Sequence, residues 1–483
     1  LENNDPDNFE NSVFSGIKWN LIISFGGQLS NIGFTLLLSR LLGPEEFGLL
    51  AAAMALMGLI ETLGSLSTSS ALTQRQVLSD QFYSAAFLVT GSLAILMMGA
   101  IALSSSFLAS FYDKPQLKDV FLLLTLSIPF QALEAFPLAE LQRRLAFDKI
   151  AIASFLSIAI SGAVAVYIAF KGYGWVALGM RLLLLQSIRT VVFCVYAWPK
   201  FKFRPSMKEV KELLRYGIPQ SLSQFLLLFG RKIDDILIGK WMGTATLGIY
   251  SLAYNLYLWP VSNIKGRISQ VIFAALSKIQ NDRDAMAGYY MKAVSLATLI
   301  GFPVIIGFAA VCDLAVPVIM GIKWITAVPI LRILGIASLF EVCVFPGAIY
   351  QAIGRTKSYL KIIFITRMTA ALGILMALVL NYGLHGVAVS IVVTSFIGFF
   401  IYNHFVGKII AISHSALMEL IVRNGSFSVV MACLILIFRF FSTGHLSNPF
   451  ELGFSLVIGA TSYWLLMKKF HPEVLSAKRF SQK

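Results

Sequence analysis

The chain is 483 residues long, 57% hydrophobic and 13% charged, with a mean hydropathy of +0.78. A soluble domain carries about 25% charged residues, so a soluble multi-domain protein is excluded and a polytopic membrane protein is expected, with apolar runs of about 20 residues crossing the bilayer. The net charge of +15 is not gathered into one basic face, which removes nucleic acid as a partner.

In chain order, LENNDPDNFENS is acidic and polar, unlike the basic start of a signal peptide, and is expected to be a short cytoplasmic tail. Apolar runs then follow one another with short breaks. They predict fourteen helices, over residues 17–39, 47–67, 84–107, 119–139, 149–170, 175–197, 216–238, 246–264, 288–311, 328–350, 359–380, 384–406, 424–441 and 450–467. The first, fourth and seventh carry polar or charged residues. Trp175 and Trp198 bracket the sixth as interfacial anchors do. With the N-terminus in the cytoplasm, twenty-two Lys and Arg residues fall in cytoplasmic loops and the C-terminal tail, and six in the opposite loops. That bias supports the orientation and the even number of helices, and places both termini in the cytoplasm.

The segment after the sixth helix, KFKFRPSMKEVKELLRYGIP, pairs Ser206 with Glu209 in the spacing of a capping box. Val210, Leu213 and Leu214 oppose Lys208, Lys211 and Arg215, which predicts an interfacial amphipathic helix serving as a linker.

The chain repeats itself. SRLLGPEEFGLLAAAMAL (Ser39–Leu56) aligns with GKWMGTATLGIYSLAYNL (Gly239–Leu256) at an offset of 200, matching Gly43 to Gly243 and Gly48 to Gly248. Phe136-Pro137 in the fourth helix echoes Phe345-Pro346 in the tenth. Six helices separate equivalent elements, so helices 1–6 and 7–12 are two copies in the same orientation. Such parallel repeats are a transporter architecture. The expected divisions are an N-lobe over 1–205, a C-lobe over 206–415, and a helix pair with a basic tail over 416–483.

The stretch SLAYNLYLWPVSNIKGRISQVIFAALSKIQNDRDAMAGYYMK (Ser251–Lys292) resembles the polysaccharide transporter family of oligosaccharide flippases, nearest the branch containing the colanic acid exporter. SGIKWN (Ser15–Asn20), the RLLGPEEFGLL turn and KWITAVPILRIL (Lys323–Leu334) match the same pattern. The resemblance covers about residues 14–470. It implies the all-α fold of the multidrug/oligosaccharidyl-lipid/polysaccharide superfamily, two six-helix lobes in a V, with helices 13 and 14 as an added pair. It also implies a substrate, an undecaprenyl-pyrophosphate-linked oligosaccharide moved to the periplasmic leaflet of the bacterial inner membrane. Membrane lipids, and a polysaccharide polymerase or glycosyltransferases, would be its partners.

A pyrophosphate crossing hydrocarbon needs a wet, cationic path. Charges inside spanning helices are rare and usually face a cavity or a partner. The cations expected to serve the pyrophosphate are Arg231, Lys232, Arg189, Arg332, Arg367 and Lys18; Arg181 also lies within a helix, while Lys18, Lys292 and Arg439 sit near helix ends where they can snorkel. The sugar is expected to meet Tyr250, Tyr254 and Tyr257, on one face of helix 8, with Asn255, Gln28 and Asn31 adding hydrogen bonds. Asn263 is a further candidate on helix 8. Asp234, Asp235, Glu61, Glu134 and Glu341 are the acids for ion coupling, each with structural ion pairing as its alternative. Within LLLFGRKIDDILIGK (Leu226–Lys240), Arg231 can reach Asp234 and Asp235, and Lys232 can reach Asp235.

No GxxxxGK[ST] motif occurs, so ATP is not used directly. The four cysteines have no metal or disulfide spacing and the five histidines do not cluster, so no metal or other cofactor is expected. Three competing readings remain: a drug/cation antiporter of the same superfamily, the lipid II flippase, and a polysaccharide polymerase or ligase. The last is disfavoured because the periplasmic loops are short and hold no His/Arg/Asp constellation.

Overall fold

The computed structural model describes residues 26–64, 68, 72, 79–199, 202–280, 282–442 and 446–470. Among these there is no strand. Fourteen helices follow the expected order: α1 (26–41), α2 (Pro44–Gly64), α3 (Asp80–Phe111), α4 (Gln116–Arg143), α5 (Phe147–Phe170), α6 (Trp175–Ala197), α7 (Met207–Met242), α8 (Thr244–Lys278), α9 (Arg283–Ile319), α10 (Ala327–Ala352), α11 (Thr356–Val379), α12 (Gly383–Gly407), α13 (His414–Ser442) and α14 (Asn448–Phe470). Ten of them are both long and apolar enough to cross a membrane. The part of the first expected helix before residue 26 lies outside the described residues.

Several helices overrun their apolar windows. α7 has 36 residues, α8 has 35 and α9 has 37. At 1.5 Å per residue these are about 50–55 Å long, against a hydrocarbon core of about 30 Å. α7 therefore takes in both the amphipathic segment and the seventh expected span as one helix. Its apolar side does not lie in the membrane interface as a separate element. Leu213 is buried with Phe82, Tyr83 and Phe136, and Val210 and Leu214 pack beside it. The capping box does not form either: Ser206 is the N-cap but its side chain makes no cap hydrogen bond.

α4 and α10 are interrupted, at non-equivalent places. α4 turns at residues 126–127, and Pro137 sits inside its continuous second piece. α10 breaks over 343–345, and Pro346 opens its short second piece. The two Phe-Pro pairs are thus equivalent in sequence but not in backbone. Proline and irregular turns are tolerated in spanning helices where neighbours satisfy the freed groups; here the Ser127 hydroxyl donates to Leu124 O at 2.6 Å.

The chain forms two compact units, Leu1–Gly248 and Ile249–Lys483. In the first, α7 packs against α2 and α3, while α5 lies on α6. Small residues permit this closeness: a Cβ on Gly162 would fall on the Phe34 ring, and Ala153, Ser161 and Ala165 are fully buried. In the second, α9 packs against α10, α13 and α14, and α12 packs against α10 and α11.

Candidate functional site

Within the first unit, the charged block of α7 is only partly self-neutralised. Lys232 Nζ donates to Asp235 Oδ2 at 2.7 Å, and Asp234 and Asp235 are both buried. Arg231 is exposed and makes no ion pair among the described residues, so the expected bonds from Arg231 to the two acids are absent. One turn further on, the Tyr112 ring lies across Gly239, where a Cβ would come within 2.7 Å of it. Tyr112 thus closes this face of α7 at the C-cap of α3.

Arg189 and Glu134, assigned separately to pyrophosphate and ion coupling, meet. Arg189 Nε lies 3.1 Å from Glu134, its Nη2 donates to Gln186 Oε1 at 2.8 Å, and Gln186 Nε2 donates to Glu134 Oε2 at 2.5 Å. The Thr190 hydroxyl adds a longer contact of 3.4 Å. α4 and α6 are joined by this network, and its net charge is zero. Glu61 on α2 accepts from Gln131 Nε2 at 3.2 Å.

Arg181 differs from both. It is 8% exposed, and its acceptors are all neutral: Asn31 Oδ1 at 2.7 Å, Asn31 O at 3.1 Å and Thr35 Oγ1 at 3.1 Å. Among the described residues no carboxylate pairs with it. Asn31, expected to contact sugar, instead holds α1 to α6 through this guanidinium. Gln28 is half-buried on the same helix.

The starts of α2 and α8 cross in this unit. A Cβ added to Gly48 would fall on the Thr244 carbonyl, and one added to Gly248 on the Pro44 carbonyl; each would also lie within 3.0 Å of the other glycine's nitrogen. The repeat-equivalent glycines are therefore spatial partners. Around them, Lys114 Nζ donates to Glu45 Oε1 at 2.6 Å and the Thr244 hydroxyl donates to the same oxygen at 2.7 Å. Lys240 pairs with Asp113 at 3.1 Å and covers the Phe111 ring at 5.3 Å. Burial pulls the Glu45 carboxyl up, but the Lys114 and Thr244 bonds outweigh it and hold it below its ordinary value. Gly243, with φ of 82°, makes the turn between α7 and α8 in a conformation that glycine adopts without strain.

Within the second unit, Tyr250 and Tyr257 are buried and Tyr254 lies between them, with ring centroids 5.6 Å and 5.1 Å apart. The three rings mainly pack on one another; Asn255, on the other side, is exposed. Asn263 Nδ2 donates to Trp259 O at 2.9 Å within α8. Arg367 is half-buried on α11, and Glu341 is half-buried just before the break in α10.

Arg332 belongs to a four-helix network. It lies 3.0 Å from Asp313, which Arg439 also grips with two bonds of 3.0 and 2.7 Å. Arg439 reaches Glu451 at 3.4 Å and Ala310 O at 2.6 Å. α9, α10, α13 and α14 each supply one charge. Arg439 does not snorkel: its side chain is 15% exposed. Asp313 was not among the expected acids, although AAVCDLAVPV presents it inside an apolar run as plainly as Glu61 or Glu341. Lower in the same contact, Asn424 Nδ2 donates to Thr298 Oγ1 at 2.8 Å and the Tyr463 hydroxyl to Leu299 O at 2.6 Å. Lys18 lies outside the described residues.

Residues 37–329, more than half of the chain, match the family described as polysaccharide biosynthesis protein. The chain belongs to this family. It is 27% identical over 478 residues to the teichuronic acid biosynthesis protein TuaB of Bacillus subtilis (strain 168), covering 96% of this chain and 97% of that one. It is 25% identical to the lipopolysaccharide biosynthesis protein WzxC of Escherichia coli (strain K12), over 68% of this chain and 67% of that one. Among solved structures, the lipid II flippase MurJ in an inward closed conformation aligns with a TM-score of 0.76 at 17% identity, over 94% of this chain and 99% of that one. An inward-facing multidrug transporter of the MATE family aligns with a TM-score of 0.59 at 16% identity, over 79% and 95%. These two likenesses show the fold, one shared by the flippase and the multidrug transporter. Family and fold together make the chain a multi-pass membrane protein of the polysaccharide biosynthesis family.

Proposed function

We propose that this protein carries an undecaprenyl-pyrophosphate-linked oligosaccharide from the cytoplasmic to the periplasmic leaflet of the bacterial inner membrane, for synthesis of a surface polysaccharide. The observation that carries the reading is the condition of the cations. Arg181 is buried among neutral acceptors and Arg231 stands exposed on α7, and among the described residues neither charge is cancelled by an ion pair. An isolated charge inside the hydrocarbon region costs about 2.5–3.5 kcal/mol on insertion scales, and an anionic headgroup is the ligand that repays it. A compact cationic drug would call for the reverse arrangement.

Arg231 is the leading pyrophosphate contact, with Arg367 a candidate on the second unit. Arg189, Lys232 and Arg332 rank below Arg231 because each already holds a carboxylate. The tyrosine face of α8 and Asn255 remain the sugar contacts, with Tyr254 the ring most open to a ligand. Glu61, Asp234, Asp235 and Glu341 are the acids left to couple the movement to an ion gradient. The lobes of the sequence repeat, 1–205 and 206–415, exchange access, and the Gly48–Gly248 crossing must part for release. Both termini lie in the cytoplasm, with a polymerase and glycosyltransferases as neighbours in the pathway.

The test is leaflet distribution. Cells depleted of the protein are expected to lose surface polymer while lipid-linked units accumulate facing the cytoplasm. Depletion that leaves lipid-linked units in the outer leaflet, or that only sensitises cells to cationic drugs, overturns the reading.

A further inference from the structure

The cytoplasm-directed connection between α6 and α7 carries an exposed array that the translocation path does not use. Lys202, Arg204, Lys208, Lys211 and Arg215 are all exposed, against two acids, Glu209 and Glu212, in the same stretch. Lys208, Lys211 and Arg215 fall at i, i+3 and i+7, one face of the first turns of α7. The opposite face, Val210, Leu213 and Leu214, is spent on the protein core, so the cations are turned away from it.

Apolar and aromatic groups stand exposed among these cations: Tyr196, Trp198, Phe203 and Met207. Lys149 lies over the Tyr196 ring at 5.6 Å and extends the array from the start of α5. Rings with cations between them at the end of a spanning helix are the composition of a headgroup-level surface. The strand of backbone that bears them is held in place. The Ser84 hydroxyl donates to Asp80 O at 2.6 Å within α3 and accepts from Arg204 N at 2.7 Å. The array is thus clamped to α3 by its main chain, which leaves its side chains free for a ligand.

We propose that Lys149, Tyr196, Trp198 and the exposed residues between 202 and 215 form a binding surface for anionic phospholipid headgroups. Phosphate oxygens pair with Lys202, Arg204, Lys208 and Lys211, while Trp198, Phe203 and Met207 enter the acyl boundary. Because the clamp runs through Ser84, headgroup binding braces the start of α7 against α3. This surface serves the protein whichever lipid-linked cargo it moves, and its failure would leave the proposed function untouched.

The experiment uses the full chain, purified in a neutral detergent, with phosphatidylglycerol or phosphatidylcholine added to the micelles. Retained lipid is counted by native mass spectrometry and the thermal midpoint is followed in parallel. Phosphatidylglycerol is expected to be retained and to raise the midpoint, and phosphatidylcholine to do neither. Neutralising Lys202, Arg204, Lys208 and Lys211 to Gln is expected to cut phosphatidylglycerol retention by about ten-fold or more, since each cation near an anionic surface contributes roughly five-fold before screening. A control that neutralises four exposed cations of the second unit, Lys361, Lys408, Arg423 and Lys469, is expected to bind as the parent does. The two variants read against each other, so a general loss of folding is recognised by the midpoint without lipid. Equal retention by the first variant and the parent, or equal loss in both variants, would falsify the proposal. Protection by millimolar inorganic phosphate as strong as that by lipid would also overturn it, because the surface would then be a phosphate site.

Discussion

Gly48 and Gly248 pack backbone to backbone, each occupying the space where a side chain of the other would have to lie. They are the same position in the two copies of the repeat, so a single sequence feature supplies both halves of the contact. Close approach of this kind is how small residues let helices pack inside a membrane. Gly48→Leu is expected to abolish polymer export and lower the thermal midpoint, as forced overpacking costs about 1–3 kcal/mol or more. Gly58→Leu, about three turns away beside a flexible Leu228 side chain, is expected to be far milder. Equal complementation by the two variants would show that the crossing is dispensable.

Arg231 and Lys232 are neighbours with opposite expected phenotypes. Lys232 neutralises a buried Asp235, and its loss leaves that carboxylate without its ion pair, at a cost of about 1–3 kcal/mol. Arg231 neutralises nothing among the described residues, so Arg231→Ala should insert and fold as the parent does while losing export. Thermal midpoints measured beside complementation separate the two. An Arg231→Ala variant with full export would reduce the block to a structural ion pair.

Arg181 spans three neutral acceptors on α1 with two arms of one guanidinium. A lysine ammonium is a compact charge and cannot reproduce that fork. Arg181→Lys is therefore expected to lose most export while retaining insertion, and Arg181→Met to be no more severe in stability because the desolvated charge is gone. Lysine restoring full activity would mean that charge alone is required.

Asp313 stands between Arg332 and Arg439. Removing Arg439 leaves Asp313 with the more exposed Arg332 and takes from the buried Glu451 the cation it faces, and leaving such charge-assisted bonds unmade costs about 1–3 kcal/mol. Arg439→Met should lower the midpoint in detergent by several degrees, with Asp313→Asn similar. If the double variant costs as much as the two single changes added, the residues do not act through each other.

Glu45 ties stability to acidity. Its folded carboxyl titrates below the ordinary value of 4.5, so its contribution is present above that value and is lost as the pH falls through the lower, folded one. The Lys114 pair is more than a third exposed, which keeps the effect under about 1 kcal/mol. Glu45→Gln should flatten the fall of the midpoint between roughly pH 5 and 3; an unchanged pH profile would remove Glu45 as its source.

The fourteen helices and their order could be read from hydropathy because lipid imposes apolar runs of a fixed length. Helix ends could not, because a helix leaving lipid turns polar without unwinding: Lys265 and Arg267, read as loop, lie inside α8. The repeat was visible as an offset of 200, but equivalence is not contact, and nothing in the alignment says that Gly48 touches Gly248. Site residues fared by the same logic. Intramembrane charges announce themselves, whereas their partners lie far along the chain: 55 residues separate Arg189 from Glu134, and 150 separate Arg181 from Asn31. Asp313 was legible by the rule that found the other acids. Two of the α8 tyrosines are in the core because a shared helical face specifies neighbours without saying whether they face ligand or protein.

The four-charge contact around Asp313 bears on how the chain is assembled during synthesis. Arg439 and Glu451 lie on consecutive helices, as do Asp313 and Arg332. Each hairpin thus carries its own counter-ion as it leaves the translocon, and neither has to wait in lipid as a bare charge. Docking then exchanges partners without changing the total. A terminal helix pair built this way brings its own counter-ion, so neither side of the α12–α13 junction strands a charge when it is alone.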